Sequence, residues 1–414
     1  MCQLGARGHY AVANGLQRSG DLLALFTDSC SAVGFPSLLR QIPKSLQPNA
    51  VKRLVGRMPE NVPPSKIRAD TWLGVQYVMA LARARSETQK LKLYVEFGSR
   101  FASFVSKRIP NNAKTIYAMN TECLELFRAG KSRGIRLVLE QTIAPGAVVQ
   151  SILKEYCGRE PDWAVDLGDY YSSGIVDREL QEWELADRII CGSQFVADGI
   201  RSVGGPVDKC VVVPYGIRTN SFTPSLDRKP VGADRRLRVL TVGSLGLRKG
   251  THLILNAAKE LSDSATFRLV GPGSLPLSIR NRVPENVEVI GQCPRSAIQD
   301  HFSWADVFLL PSLCEGSAMV TYEALIMGIP VICTPNTGSI VKDGKDGFLI
   351  PIGCVASMVD RLLYLNNSRN VLKEMSAAAF QRRAFIDTAA YDNRLLSGVF
   401  DETTGTISEE AVVS

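Results

Sequence analysis

The sequence predicts an α/β protein made of two parallel-sheet domains, and three observations lead there. Short apolar runs alternate with helix-like segments along most of the chain, the pattern of strand–crossover–strand units. The length of 414 residues exceeds what one core organises. Near the middle, Ser221 to Arg235 is rich in turn formers and charge and breaks the alternation. The expected division is a first domain over 1–220, a linker over 221–236, a second domain over 237–400 and a disordered tail over 401–414.

In the first part, Ala113–Met119, Arg136–Glu140, Arg188–Gly192 and Val211–Pro214 read as strands, and Leu124–Ala129 and Glu179–Ala186 as helices. The second part is more regular. Strands are expected at Arg238–Val242, Thr266–Val270, Val287–Ile290, Val307–Leu310, Val331–Cys333 and Phe348–Pro351. Helices are expected at His252–Leu261, Ser296–Phe302, Val355–Tyr364 and Val371–Phe385.

The most informative stretch runs from Pro311 to Pro330. Pro311 stops an apolar strand, Gly316 and Ser317 open a helix with Ser317 as N-cap, and Gly328 and Pro330 end it. Glu315 then lies just before a helix N-terminus and Glu323 about two turns inside. Between them stand the backbone N–H groups of Gly316, Ser317, Ala318, Met319 and Val320 and the positive end of a helix dipole. That arrangement suits an anion flanked by hydroxyl-bearing groups, the shape of a nucleotide sugar. A surface helix with two solvated glutamates is the other reading of these residues alone.

Composition narrows the field. Apolar residues make up 45% of the chain, and no apolar run reaches the roughly 18 residues a spanning helix needs. No secretory signal opens the sequence. The ten cysteines are scattered without a Cys-x-x-Cys pair, as expected of buried free thiols in a reducing cytosol. From Arg40 to Arg108 there are fourteen Lys/Arg against four Asp/Glu, 14 − 4 = +10, whereas the whole chain carries +7. Such a region is either a solvated face or a surface for an anionic partner. No nucleic-acid-binding pattern accompanies it, so no nucleic-acid partner is expected.

The Glu315-x7-Glu323 pattern resembles the signature of the family 4 retaining glycosyltransferases (group 1). Three further segments are similar to that family and occur in its order: Val213-Pro-Tyr-Gly-Ile217, Val242-Gly-Ser-Leu-Gly-Leu-Arg-Lys-Gly-Thr251 and Ile290-Gly-Gln-Cys-Pro-Arg295. The resemblance runs from Gly5 to about Leu365 and is strongest over 238–350. It implies the fold called GT-B, two Rossmann-like domains facing each other across a cleft, with ligand at the carboxyl ends of the strands. The implied activity is transfer of a hexose from a nucleotide-diphosphate sugar to a hydroxyl of a saccharide or lipid-linked acceptor, in polysaccharide or glycolipid synthesis. No cofactor is implied. A non-catalytic sugar-nucleotide-binding relative is the alternative.

By the same resemblance Lys249 neutralises the leaving diphosphate, Glu315 holds the transferred sugar and Glu323 the ribose; relatives often carry a further arginine where this chain has Ser244, and Arg248 supplies that charge instead. Gly243 belongs to the loop beneath the phosphates, and Cys293 lies where relatives hold the base. In the first domain, Gly5 and Gly8 bring backbone close to the donor, and His9 stands on the acceptor side. His9 also reads as a structural helix-start residue, and His252 and His301 as surface or structural ones. No Asp-x-Asp motif or zinc-like spacing occurs, so no metal is expected.

Two further departures from the family stand out. Relatives open with a full strand, whereas Met1–Leu4 alone precede Gly5 here, which implies a truncated or misplaced start and a weakened first domain. Relatives also carry a histidine at the end of a first-domain strand, and the matching position here is Glu140 or Gln141, with Glu140 taking its place. Tyr77–Arg85 and Phe101–Arg108 mix apolar and basic residues and suggest peripheral contact with an anionic membrane at its cytoplasmic face. A dinucleotide oxidoreductase is disfavoured because Gly271-Pro-Gly-Ser-Leu-Pro276 has proline at the third glycine position.

Overall fold

Strand pairing organises the computed structural model into two parallel sheets, described over residues 1–43, 46–163, 167–219, 222, 235–401, 405 and 406. In the first domain the strands are β1 (Leu25–Thr27), β2 (Ile67–Ala69), β3 (Thr115–Met119), β4 (Arg136–Gln141), β5 (Arg188–Cys191) and β6 (Cys210–Val212). β6, β5, β4 and β3 are neighbours in that order, and β1 pairs with β2. Cys2 bridges both Phe26 of β1 and Ala118 of β3. Its N–H donates to the Tyr117 carbonyl at 2.8 Å, and the Gln3 N–H to that of Phe26 at 3.0 Å. Three residues thus fill the central position of the sheet, and Cys2 and Leu4 are buried there.

The second domain contains β7 (Leu237–Val242), β8 (Ala265–Val270), β9 (Val287–Gly291), β10 (Val307–Leu310), β11 (Val331–Cys333) and β12 (Gly347–Leu349). Their order is β12-β11-β10-β7-β8-β9, all parallel. Every residue of β10 is fully buried, as expected of a strand covered on both faces. The strand order reverses beside β7, between β10 and β8. The loops after β7 and β10 therefore diverge at the carboxyl end of the sheet and open a crevice.

Several helices are absent from the sequence-based expectation. Thr71–Arg83 is capped by Asp70, whose carboxylate accepts the Leu73 N–H at 3.0 Å. Glu87–Ser106 is capped by Ser86, which accepts from Gln89. Gly146–Arg159 belongs to the first domain in sequence, yet Val149, Leu153 and Tyr156 share one apolar core with Leu247, Leu253 and Leu313 of the second. His252 is buried at that seam, its ring 6.3 Å from Tyr156 and 5.9 Å from Trp163. Burial pushes its pKa down to about 4.

The C-terminal region corrects two expectations. The single helix over Val371–Phe385 is two, Arg369–Gln381 and Arg383–Ile386. A further helix, Thr388–Phe400, returns to the first domain although the sequence assigns it to 237–400. There Tyr391, Leu395 and Val399 join Tyr10, Val12 and Leu16 in one cluster. Arg18 grips Asp392 with two bonds of 2.6 and 2.8 Å. β13 (Gly405–Thr406) then pairs with β6. Most of the 221–236 linker and of the 401–414 tail lies outside the described residues.

Candidate functional site

The second-domain wall of the cleft is built by two loops that follow β7 and β10. Gly250 has φ +72°, and a side chain there would collide with the Pro311 carbonyl. That close approach, together with the Leu313 N–H donating to the Arg248 carbonyl at 2.8 Å, locks the β7 loop onto the β10 loop. Arg248 Nη1 and Lys249 Nζ converge on Glu315 Oε1 at 2.8 and 2.9 Å. Glu315 is itself fixed by its N–H to the Asn336 carbonyl. Two cations and one carboxylate leave 2 − 1 = +1 at the mouth of the sheet. Burial lowers the pKa of the Lys249 ammonium, and the Glu315 carboxylate acts against that shift. Gly243 lies directly beneath the Lys249 side chain.

The helix after Glu315 begins later than the sequence suggests. It spans Met319–Ile326, and Ser317 does not cap it. The Ser317 hydroxyl instead lies 2.7 Å from the Tyr322 hydroxyl and donates to the Gly338 carbonyl. The Ala318 N–H is spent on the Thr337 carbonyl, which removes it from the expected anion-facing set. Gly316, Ser317, Met319 and Val320 remain at this helix end. Glu323 lies in the second turn, with Arg295 Nη2 3.7 Å from its Oε1. Burial raises the Glu323 pKa and Arg295 counters it. Cys293, two residues before Arg295, is half-buried against the second-domain core.

The first-domain wall is a strained loop. Gly8, His9 and Tyr10 take φ of 53°, 52° and 62° in succession before the helix Ala11–Arg18. Left-handed backbone at two non-glycine residues is costly, and surrounding contacts hold it. The Leu4 N–H donates to Glu122 at 2.9 Å and the Gly5 N–H to Asp28 at 2.8 Å. Gly5 therefore offers no N–H to a donor phosphate. Glu122 is buried, and its pKa is pushed up to about 7 by burial, against the pull of Arg7 3.6 Å away. His9 Nε2 lies 2.6 Å from Arg295 Nη1, closing a contact across the cleft. Burial, then Arg295 and Arg218, lower the His9 pKa.

Glu140 does not reach this cleft. It is buried within the first domain, its two oxygens accepting from the Tyr117 and Tyr215 hydroxyls at 2.7 and 2.8 Å. Gln141 is equally committed, to Glu179, Ile143 and Trp183. The residue at the cleft is the next one, Thr142. Any side chain at Gly316 would collide with its carbonyl, so the two domains touch there through bare backbone. The Thr142 hydroxyl donates to Asn120 at 2.8 Å and faces Arg7 Nη1 at 3.5 Å. Arg7, Thr142 and Arg295 are site residues that the sequence reading missed. Arg7 could have been found from its place between Gly5 and Gly8. Among the described residues no group of three His, Cys, Asp or Glu side chains could hold a metal ion. No helix among them is long and apolar enough to cross a membrane.

The sequence and the fold have counterparts in known proteins. Residues 236–368 match the family model described as Glycosyl transferases group 1. The chain is 26% identical over 203 residues to the amylovoran biosynthesis glycosyltransferase AmsK of Erwinia amylovora, covering 45% of this chain and 48% of that one. It is 28% identical over 207 residues to the UDP-Gal:alpha-D-GlcNAc-diphosphoundecaprenol alpha-1,3-galactosyltransferase of Escherichia coli, covering 46% and 51%. The chain thus spans about half the length of the curated relatives it matches. In structure it is similar to Anabaena HepE in complex with UDP and glucose, with a TM-score of 0.61 at 15% identity, over 96% of this chain and 97% of that one. Over residues 236–368 the chain carries a Glycosyl transferases group 1 domain, and over nearly its full length it has the fold of GT-B glycosyltransferases.

Proposed function

We propose that the protein is a retaining hexosyltransferase that takes its sugar from a nucleoside-diphosphate donor and adds it to a hydroxyl of a saccharide or lipid-linked acceptor. The observation that carries this reading is the convergence of Arg248 and Lys249 on Glu315 at the domain contact. Breaking a glycosyl bond to phosphate puts negative charge on the leaving diphosphate, and two preorganised cations stabilise it as it forms. Glu315 holds them in place until the donor arrives and then accepts from hydroxyls of the transferred sugar. Glu323 accepts from the ribose, with the Cys293–Arg295 segment beside the base. Arg7 and Thr142 face the sugar from the other domain. His9 stands at the acceptor side.

Retention rests on the family resemblance, and the anomeric configuration of a product read by NMR tests it. The relatives' roles in amylovoran synthesis and on a diphosphoundecaprenol acceptor support a place in polysaccharide or glycolipid assembly. Calorimetry with a panel of nucleoside diphosphates, followed by donor turnover with and without saccharide acceptors, tests the whole reading. Binding without turnover on any acceptor would leave a sugar-nucleotide-binding protein. Absence of binding would overturn both.

A further inference from the structure

The helix Thr71–Arg83 is apolar on both sides. Its inner face packs Leu73 and Gly74 into the first domain. Its outer face carries Trp72, 69% exposed, with Val75, Val78 and Met79 exposed beside it. At 100° per residue these four fall within one stripe, joined by Ala82 and Arg83. A helix that is apolar all round is normally covered, and a solvent-facing stripe of this kind marks an interaction surface. It continues into a second exposed apolar pair. Gly34 abuts Thr71, and Phe35 and Leu38 lie one and four residues after it in the chain, 66% and 57% exposed.

The segments expected to meet a membrane fare differently. Phe101 and Val105 of Phe101–Arg108 face the core, so that stretch has no apolar face to offer. In Tyr77–Arg85, Tyr77 packs on Phe97 and turns inward, leaving the opposite side of the same helix outside. The segment that carries the stripe is strongly basic. The 40–108 segment that contains it carries a surplus of ten positive charges, and Arg83 and Arg85 are exposed at the helix's end.

We propose that this outer face of Thr71–Arg83, with Phe35 and Leu38, is the surface by which the protein lies on an anionic lipid bilayer. Trp72 sits at headgroup depth, Val75, Val78 and Met79 enter the acyl boundary, and the arginines meet lipid phosphates. The excess positive charge favours lipid over a second copy of the chain, because two copies would oppose like charges. The proposal rests on the reading that the acceptor is lipid-linked, since the docked first domain would then face the layer that holds it.

Co-sedimentation of the full chain with vesicles of phosphatidylglycerol and phosphatidylcholine, against pure phosphatidylcholine, tests it. Wild type should pellet with the anionic vesicles. Raising salt from about 0.01 to about 1 M shortens the screening length from about 30 to about 3 Å and should release most of it. Trp72→Glu combined with Val78→Glu, both on an exposed face, should cut the bound fraction at least tenfold. A blue shift of tryptophan emission on binding should disappear in Trp72→Phe while that variant still pellets. Equal pelleting of wild type and the double variant would overturn the proposal. So would a concentration-dependent dimer abolished by the double variant, with no vesicle binding by wild type. Turnover on a soluble saccharide without vesicles, measured in parallel, separates this failure from failure of the glycosyltransfer reading.

Discussion

The two walls of the cleft hold their charges in opposite ways. On the second-domain side, cations outnumber the carboxylate they share, and all three sit on loops locked between strand ends. On the first-domain side, the carboxylates Glu122 and Asp28 are turned inward onto the chain's own N–H groups and are paired with Arg7 and Arg57. The difference separates a wall with a net positive charge from one that holds its own loop in an unfavourable backbone conformation. On the proposed function, it also explains why donor chemistry reads so readily from the second domain and acceptor chemistry does not read from the first.

The largest expected effect tests that division directly. Lys249→Ala should weaken nucleoside-diphosphate binding by about 1.5–3 kcal/mol, the value of a charge-assisted contact, or about one to two decades. Arg7→Ala should leave the same calorimetric affinity within about twofold, because Arg7 stands beside Thr142 and Glu122 rather than the cation pair. Equal losses in the two variants would mean that both walls bind the diphosphate. Next in size is the backbone contact that brings the walls together. Gly316→Ala forces a methyl into the Thr142 carbonyl and should cost about 1–3 kcal/mol of stability, measured by urea unfolding. An unchanged midpoint would show that the domains stand apart in solution.

Within the donor wall, Glu323→Gln should raise KM and spare kcat, since a ribose contact is the same in ground and transition states. Glu315→Gln should lower kcat instead, because on the proposed function charge develops next to the sugar that Glu315 contacts. Steady-state kinetics with full turnover in Glu315→Gln would remove that residue from the sugar. The smallest effect crosses the cleft. A neutral His9 accepts from Arg295, and its pKa is lowered in the folded protein. Above its ordinary value of about 6.5 both folded and unfolded chains carry it neutral. As pH falls below that, the unfolded chain takes a proton that the folded one resists, so stability declines toward the lowered folded pKa. Both partners are open to solvent, which limits the size. Thermal unfolding of wild type and His9→Gln between about pH 7.5 and 5 should show a steeper decline in wild type, and parallel curves would exclude His9.

The second domain was legible because its central strands are buried on both faces. Val307–Leu310 was expected and found to the residue, and Leu237–Val242, Ala265–Val270 and Val331–Cys333 differ from expectation by one residue or not at all. The first domain was harder for physical reasons. β1 and β2 have three residues each, too short to show a period. Thr71–Arg83 shows no clean amphipathic pattern because it is apolar on its outer face too. Its Asp70 cap and the Ser86-x-x-Gln89 cap of the next helix were available signals. In the site, the error at Glu140 is one of register. Thr142 lies two positions on and just past the end of β4, where the chain leaves the sheet for the cleft, whereas Glu140 is still inside the strand with its side chain buried. Arg295, by contrast, acquires its role from His9, 286 residues away in the chain, and no local pattern encodes that distance.

The return of Thr388–Phe400 to the first domain bears on how the protein is made. Tyr391, Leu395 and Val399 supply part of the core around Tyr10 and Leu16. The domain that leaves the ribosome first therefore cannot close its core until the last helix has been synthesised, while the second domain completes its sheet earlier. During that interval the surface that will meet Thr388–Phe400 stays uncovered and depends on chaperones or speed. A stop codon ahead of Thr388 should leave the second domain protected from protease and expose the first, the half that was translated first.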